Sequence, residues 1–189
     1  MRKYLLHVLI ISFVFLLAPT AQVVSYAGAI EDAKEEVRKN PDDAMAHFKL
    51  GVAYGESGKY EEAIESYKLA IRIAPDYRNA HNNLGTAYGK LGKRKKEIES
   101  YKQAIRIDPD YAGAHTNLGL AYGYLGKYEE AIESHKQAIR IDPDDAEAHF
   151  NLGITYLQIN DRGSAMEQYK ILKKLDTELA RMLFNHIYK

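Results

Sequence analysis

Asn117-Leu118-Gly119-Leu120-Ala121-Tyr122, followed by Ala131, Ala138 and Pro143, is the stretch that decides the fold. Between Ala112 and Gly126 the apolar residues fall at Ala114, Leu118, Ala121, Tyr122 and Leu125, the spacing of one helical face. Gly126-Lys127 reads as a turn. Tyr128, Ala131, Ile132, Ala138, Ile139 and Ile141 then mark a second helix. Asp142-Pro143-Asp144 ends it, because proline donates no backbone hydrogen bond and disfavours a helical residue before it. Asp144 or Asp145 is placed to cap the helix that follows.

The same pair of helices recurs in both directions. Pro41, Pro75, Pro109 and Pro143 stand 34 residues apart, and so do Gly51, Gly85, Gly119 and Gly153. Tyr54, Tyr88, Tyr122 and Tyr156 keep that spacing, as do His47, His81, His115 and His149. Two helices of about 13 residues, each about 20 Å long, cannot bury both apolar sides alone. Stacking the pairs buries them, so three or more are needed.

This pattern resembles the tetratricopeptide repeat (TPR) family. Counted from the residue after each proline turn, Asn117, Leu118, Gly119, Tyr122, Ala131, Ala138 and Pro143 stand at positions 6, 7, 8, 11, 20, 27 and 32. The expected fold is all-α, an α-solenoid of four antiparallel helix pairs with a helix at each end. The units are placed at 44–77, 78–111, 112–145 and 146–176, after a half-repeat helix in 28–43 and before a capping helix in 177–189. Leu179, Met182, Leu183 and Ile187 are assigned to one face of that last helix. Small residues at positions 8, 20 and 27 are expected where two helix backbones meet. Unit two departs from the pattern, with Arg94 in a tyrosine's place and Glu97 in an alanine's. Either the two pair along the surface, or Lys90, Lys93, Arg94, Lys95 and Lys96 form a basic patch for an acidic partner.

Residues 1–27 differ from all this. Arg2 and Lys3 precede about 15 mostly apolar residues and then small ones, the pattern of a secretory signal. Cuts after Ala27 or Ala29 both fit, and an uncleaved anchor running to Val24 is the rival. The chain is therefore expected to be exported, periplasmic or secreted, or held at an inner membrane through 1–27. The 189 residues carry 26 basic and 26 acidic side chains, and removing 1–27 leaves 24 against 26. That balance offers no field for nucleic acid. The absence of cysteine removes disulfides, thiolate catalysis and sulfur-bound zinc.

No catalytic constellation, metal site or cofactor motif is found, so no enzyme is expected. The four histidines sit one per first helix, and helices 8–10 Å apart hold imidazoles too far from one another for one zinc. His135 interrupts the tyrosine series Tyr67, Tyr101, Tyr169 and is read as a packing residue. The Glu65/Lys68, Glu99/Lys102 and Glu133/Lys136 pairs are read as exposed helix-surface pairs.

The resemblance implies that first helices line a concave, peptide-binding surface through positions 2, 5, 6, 9, 12 and 13. The candidates are Phe48, Lys49 and Val52 in unit one, then Asn82, Asn83 and Thr86 in unit two. Unit three supplies Thr116, Asn117, Leu120 and Tyr124, and unit four Phe150, Asn151 and Ile154. The Asn83, Asn117, Asn151 series either pairs with a ligand's peptide bonds or bonds to water and the next helix. Gly55, Gly89 and Gly123 at position 12 either leave an open floor or are inherited by duplication. A chaperone-tail clamp would carry lysine and asparagine where Phe48 and Val52 stand. The expected partner is a protein or peptide segment with apolar anchors. The alternatives are self-assembly through an end helix and a regulatory subunit of an exported enzyme such as a glycosyltransferase or protease.

Overall fold

A computed structural model of the chain describes residues 26–189, and the expected signal at 1–27 lies, but for its last two residues, outside them. The fold is all-α, as expected: ten helices and no strand among the described residues. The chain divides after Pro75 into two compact units. The first holds α1 (26–39), α2 (Ala44–Glu56) and α3 (Tyr60–Ile73). The second holds α4 (Arg78–Lys90), α5 (Arg94–Ile107), α6 (Ala112–Tyr124), α7 (Tyr128–Ile141), α8 (Ala146–Gln158), α9 (Arg162–Leu175) and α10 (Thr177–Ile187).

Local chemistry sets the helix ends. Gly58, Gly92 and Gly126 turn the chain between the helices of a pair with φ of 78°, 69° and 70°, and Asn160 does so in the last pair at 60°. Asp43, Asp145, Asp161 and Asp176 cap the helices that follow them through their carboxylates. Asp145, not Asp144, caps α8, accepting from the Ala148 amide at 3.0 Å. The repeated histidines tie first helices to their proline turns. Nε2 of His47, His115 and His149 lies 2.8, 3.0 and 3.0 Å from the carbonyl oxygens of Pro41, Pro109 and Pro143.

Each pair is locked by small residues, although not where two backbones meet at position 8. A Cβ on Gly51 would stand 2.5 Å from the Tyr67 ring, one on Gly85 2.7 Å from Tyr101, and one on Gly119 2.5 Å from His135. The glycine makes room for the ring at position 24 of the second helix. Ala63 and Ala131 at position 20, and Ala70, Ala104 and Ala138 at position 27, are fully buried. In the last pair Leu183 of α10 takes the ring's place, 2.6 Å from a Cβ on Gly153. That contact makes α10 part of the core, with Leu172 and Leu183 fully buried beside Ala165, Ala180 and Ile187. The buried face of α10 is thus Ala180, Leu183 and Ile187 with Leu179 at its edge, and Met182 points to solvent.

Glu97 is the exception at position 20. It is buried, not laid along the surface, and its carboxylate fills the space above Gly89. Arg94 follows it inward, donating to Glu97 Oε2 at 2.7 Å and to the Gly89 carbonyl at 3.2 Å. The basic run is thereby depleted: Arg94 is spent on this pair, and Lys96 lies 5.5 Å from the centre of the Tyr88 ring. On the helix surfaces Lys68 pairs with Glu65 at 2.7 Å, whereas Glu133 accepts from Gln137 and Lys102 rests over Tyr122.

Candidate functional site

In the first unit α1 packs on α2 through Ile30, Ala33 and Ala53. Beside that seam Phe48, Lys49 and Val52 line a hollow of about 420 Å³ with Asp32, Glu36 and Glu56 at its rim. Lys49 is held there by Glu36 at 2.7 Å. Phe48 leans on the Tyr67 ring, 5.8 Å between centres. With Glu36 neutralised by Lys49, the carboxylates of Asp32 and Glu56 leave this apolar floor a negative rim that favours a neutral or basic guest.

The second unit carries two neighbouring hollows, parted by Leu120 and Tyr124 of α6. The first, about 210 Å³, is lined by Thr86, Gly89 and Lys90 from α4, Arg94, Glu97 and Tyr101 from α5, and Asn117. The second, about 270 Å³, is lined by Gly119 and Gly123 of α6, Tyr128 and His135 of α7, and Asn151, Ile154, Thr155 and Gln158 of α8. Tyr124 is 71% exposed, and the Arg94 guanidinium sits 4.5 Å from its ring centre. That stacking fixes a large aromatic surface in a solvent-facing position.

The structure thus brings together Thr86, Asn117, Leu120, Tyr124, Asn151 and Ile154 of the sequence candidates in the second unit. Four others fall elsewhere. Asn82 and Thr116, at position 5, are 8% and 5% exposed, so they are packed inside rather than presented. Phe150 packs against the Leu172–Leu183 cluster beneath α10. Asn83 is partly buried and is bonded by Asn82 at 3.3 Å. Asn117 in turn donates to Asn82 Oδ1 at 3.0 Å, so three asparagines form a chain that couples α4 to α6. This is the helix-to-helix reading of the asparagine series. Asn151 stands apart from it: its Nδ2 is buried and has no hydrogen-bond partner.

The position-12 glycines also divide. Gly55 faces the Tyr67 hydroxyl and Gly89 faces Glu97, so only Gly123 keeps an open floor. Reading first helices alone misses what second helices contribute: Arg94, Glu97 and Tyr101 of α5, and Tyr128 and His135 of α7. The break in the tyrosine series at His135 is the available signal. Burial pushes the Tyr101 phenol up to about 12, and its hydroxyl lies 3.1 Å from Thr86 Oγ1. Burial lowers the His135 imidazole to about 4, so the ring is neutral at pH 7. Among the described residues no group of His, Asp and Glu is placed to hold a metal ion, and no helix is long and apolar enough to cross a membrane.

Comparison with known proteins follows the same outline. The TPR repeat family model matches residues 56–92, 98–126 and 122–160. Two tetratricopeptide repeat models match 79–111 and 146–178, and 33–65. No curated protein matches the chain. Among solved structures MamA is similar with 28% identity and a TM-score of 0.74, over 82% of this chain and 91% of that one. TTC0263, a thermophilic TPR protein of Thermus thermophilus, is similar with 26% identity and a TM-score of 0.72, over 92% and 96%. The first TPR of Spaghetti, bound to an HSP90 peptide, is similar with 26% identity and a TM-score of 0.60, over 62% and 93%.

Proposed function

We propose, from the premise that this chain belongs to the tetratricopeptide repeat family, that it is a non-catalytic adaptor holding a segment of a partner protein against its first helices. The observation that carries this reading is the pair of hollows flanking Leu120 and Tyr124. They sit side by side, are partly apolar, and are parted by an aromatic ring already held in place by Arg94. An extended segment sends alternate side chains to the same side, so adjacent hollows suit it. The Spaghetti repeat domain is bound to an acidic HSP90 peptide, SRMEEVD. A different guest is favoured here, since Phe48 and Val52 replace the clamp side chains and Asp32, Glu36 and Glu56 rim the first-unit hollow. The guest offers apolar or aromatic anchors and no carboxylate cluster. Four repeats offer a small interface, which favours an affinity on the order of micromolar.

The basic, apolar start of the sequence supports export, with the array periplasmic or secreted, or anchored at an inner membrane through 1–27. N-terminal sequencing of the protein recovered from cells decides between cleavage after Ala27, cleavage after Ala29, and an intact anchor.

Capture of partners by the full chain, run beside Tyr124→Ala, tests the adaptor reading. Tyr124 is mostly exposed, so the variant keeps its helix content. A partner retained by the natural chain and lost by the variant supports the reading, and identical captured sets contradict it. Self-assembly is favoured by a separate observation, the exposed Met182, Phe184 and Tyr188 on and just after α10. Met182→Glu with Phe184→Glu tests it by sedimentation. Deleting α10 would not, because Leu183 and Ile187 belong to the core.

A further inference from the structure

The last junction of the chain is unlike the others. Four residues separate α1, and the second helix of each earlier pair, from the helix that follows. Each of those junctions holds a proline: Pro41, Pro75, Pro109 or Pro143. Between α9 and α10 a single residue intervenes, Asp176, and Thr177 stands 34 residues after Pro143 in the proline's place. Asp176 has φ −150° and ψ 107°, and its extended backbone alone turns the chain. Its carboxylate accepts from the amides of Glu178 and Leu179 at 2.9 and 3.0 Å. A helical Asp176 would merge α9 and α10 into one rod from Arg162 to Ile187, about 39 Å long. The amides of Thr177, Glu178 and Leu179 would then find the carbonyls of Lys173, Lys174 and Leu175, so the hinge is satisfied in both forms. A proline at 177 would forbid the rod, because it disfavours a helical residue before it. At the other junctions that bar is in place.

The fourth pair also keeps what it needs to stay closed without α10. In the first two pairs a ring at position 24 covers the glycine at position 8, Tyr67 over Gly51 and Tyr101 over Gly85. Gly153 and Tyr169 hold the same two positions in the fourth pair. Here Leu183 of α10 lies over Gly153, and the Tyr169 ring leans instead on Phe184, 5.4 Å between centres. With α10 withdrawn, Tyr169 has the place that Tyr67 and Tyr101 occupy. Withdrawal also frees two apolar surfaces that fit each other. One is Leu183 and Ile187 of α10, and the other is the seat around Leu172 with Phe150 beside it. The α10 of another copy fills that seat with the same contacts.

We infer that α10 is an exchangeable element: α9 and α10 straighten at Asp176, and each of two copies seats its α10 on the α8–α9 pair of the other. The seat fixes the chemistry of its guest, a helix that places a leucine over Gly153 and an isoleucine one turn later. The contacts of the closed chain reappear between copies, so the state of Asp176 and the protein concentration decide which form prevails. The exchange is independent of the adaptor reading, and it uses the buried face of α10 rather than Met182.

The test compares the full chain with Thr177→Pro and Asp176→Ala by sedimentation, after concentrated protein is warmed toward its unfolding transition and cooled. Thr177 is the first residue of α10 and follows an extended residue, so proline fits the closed form. The natural chain is expected to give a species of twice the monomer mass that persists on dilution, because its release requires α10 to open. Thr177→Pro loses that species and keeps its circular dichroism. Asp176→Ala, which removes a cap used only in the closed form, raises the dimer's association constant at least about fivefold. Met182→Glu, on the solvent-facing side of α10, leaves it unchanged. A natural chain that stays monomeric, a dimer that survives Thr177→Pro, or one that Asp176→Ala weakens overturns the exchange. A dimer that Met182→Glu removes also overturns it, by placing the contact on the exposed face.

Discussion

Replacing His135 by tyrosine changes how the stability of the chain depends on pH, and the size of the change follows from burial. His135 is 1% exposed, and burial depresses its imidazole from 6.5 to about 4. Above pH 6.5 the ring is neutral whether folded or unfolded and contributes no slope. Between 6.5 and 4 the unfolded chain binds a proton that the folded chain refuses, so stability is lost as pH falls. Below 4 both states are protonated and the loss levels off. At 1.36 kcal/mol per pKa unit, the loss reaches about 2 kcal/mol by pH 5 and roughly 3 kcal/mol at its limit. For a chain of this size that is about 4–8 °C in Tm at pH 5. Tyrosine binds no proton in this range, so the natural chain and His135→Tyr diverge on acidification while the titrating carboxylates common to both cancel. Urea unfolding followed by circular dichroism at pH 7.5, 6 and 5 measures the gap. The gap widens by about 2 kcal/mol in favour of the variant. A gap that stays constant across the range refutes the buried, neutral histidine.

The Arg94–Glu97 pair is tested by taking it apart and by removing it whole. Arg94→Tyr strands the Glu97 carboxylate, which is 5% exposed, and costs about 2 kcal/mol, less than the 3–5 kcal/mol of a fully buried pair because Arg94 keeps some access to water. Arg94→Tyr with Glu97→Ala copies Tyr128 and Ala131 of the next pair and returns stability to the natural level or above it. Equal losses in the single and double variants, by hydrogen exchange across α4 and α5, contradict a coupled pair. Leu183→Ala empties the contact with Gly153 and costs about 3 kcal/mol, since Leu183 is fully buried. An unfolding curve that moves by less than 1 kcal/mol would place α10 outside the core.

The helix pairs are legible in the sequence because their signal is repeated: each proline, turn glycine and position-8 glycine restates the same local geometry. What lies over a glycine is not legible. Position 8 reads as a backbone contact, and the structure puts a ring there, Tyr67 over Gly51 and Tyr101 over Gly85. A single sequence shows that a position is small, not which side chain from another helix needs the room. Glu97 makes the same point. A glutamate at an alanine position reads as intolerable inside, yet the absence of a side chain on Gly89, eight residues earlier, leaves it a place. Ala131→Glu would find the matching space above Gly123 in the third pair, but Tyr128 stands where Arg94 does in the second, so its carboxylate would lack the partner that Glu97 has. The site is legible where a first-helix side chain borders a hollow, as at Leu120, Tyr124 and Ile154, of which Tyr124 alone is mostly exposed. It is not legible at position 5, where Asn82 and Thr116 turn inward, because a few tens of degrees around a helix separate groove from core. Asn117 belongs to both: its amide nitrogen serves Asn82, so Asn117→Ala removes a bond that holds α4 to α6 as well as a groove side chain.

Selecting peptides from a random library on the full chain, with Tyr124→Ala as the counter-selection, and mapping the winner by hydrogen exchange tests the central claim most directly. The account predicts peptides that carry an aromatic anchor and slow exchange in α6 and α8, around Leu120, Tyr124 and Ile154, while the exposed faces of α5 and α7 are unchanged. Peptides that bind both chains equally, or protection confined to α9 and α10, would contradict it.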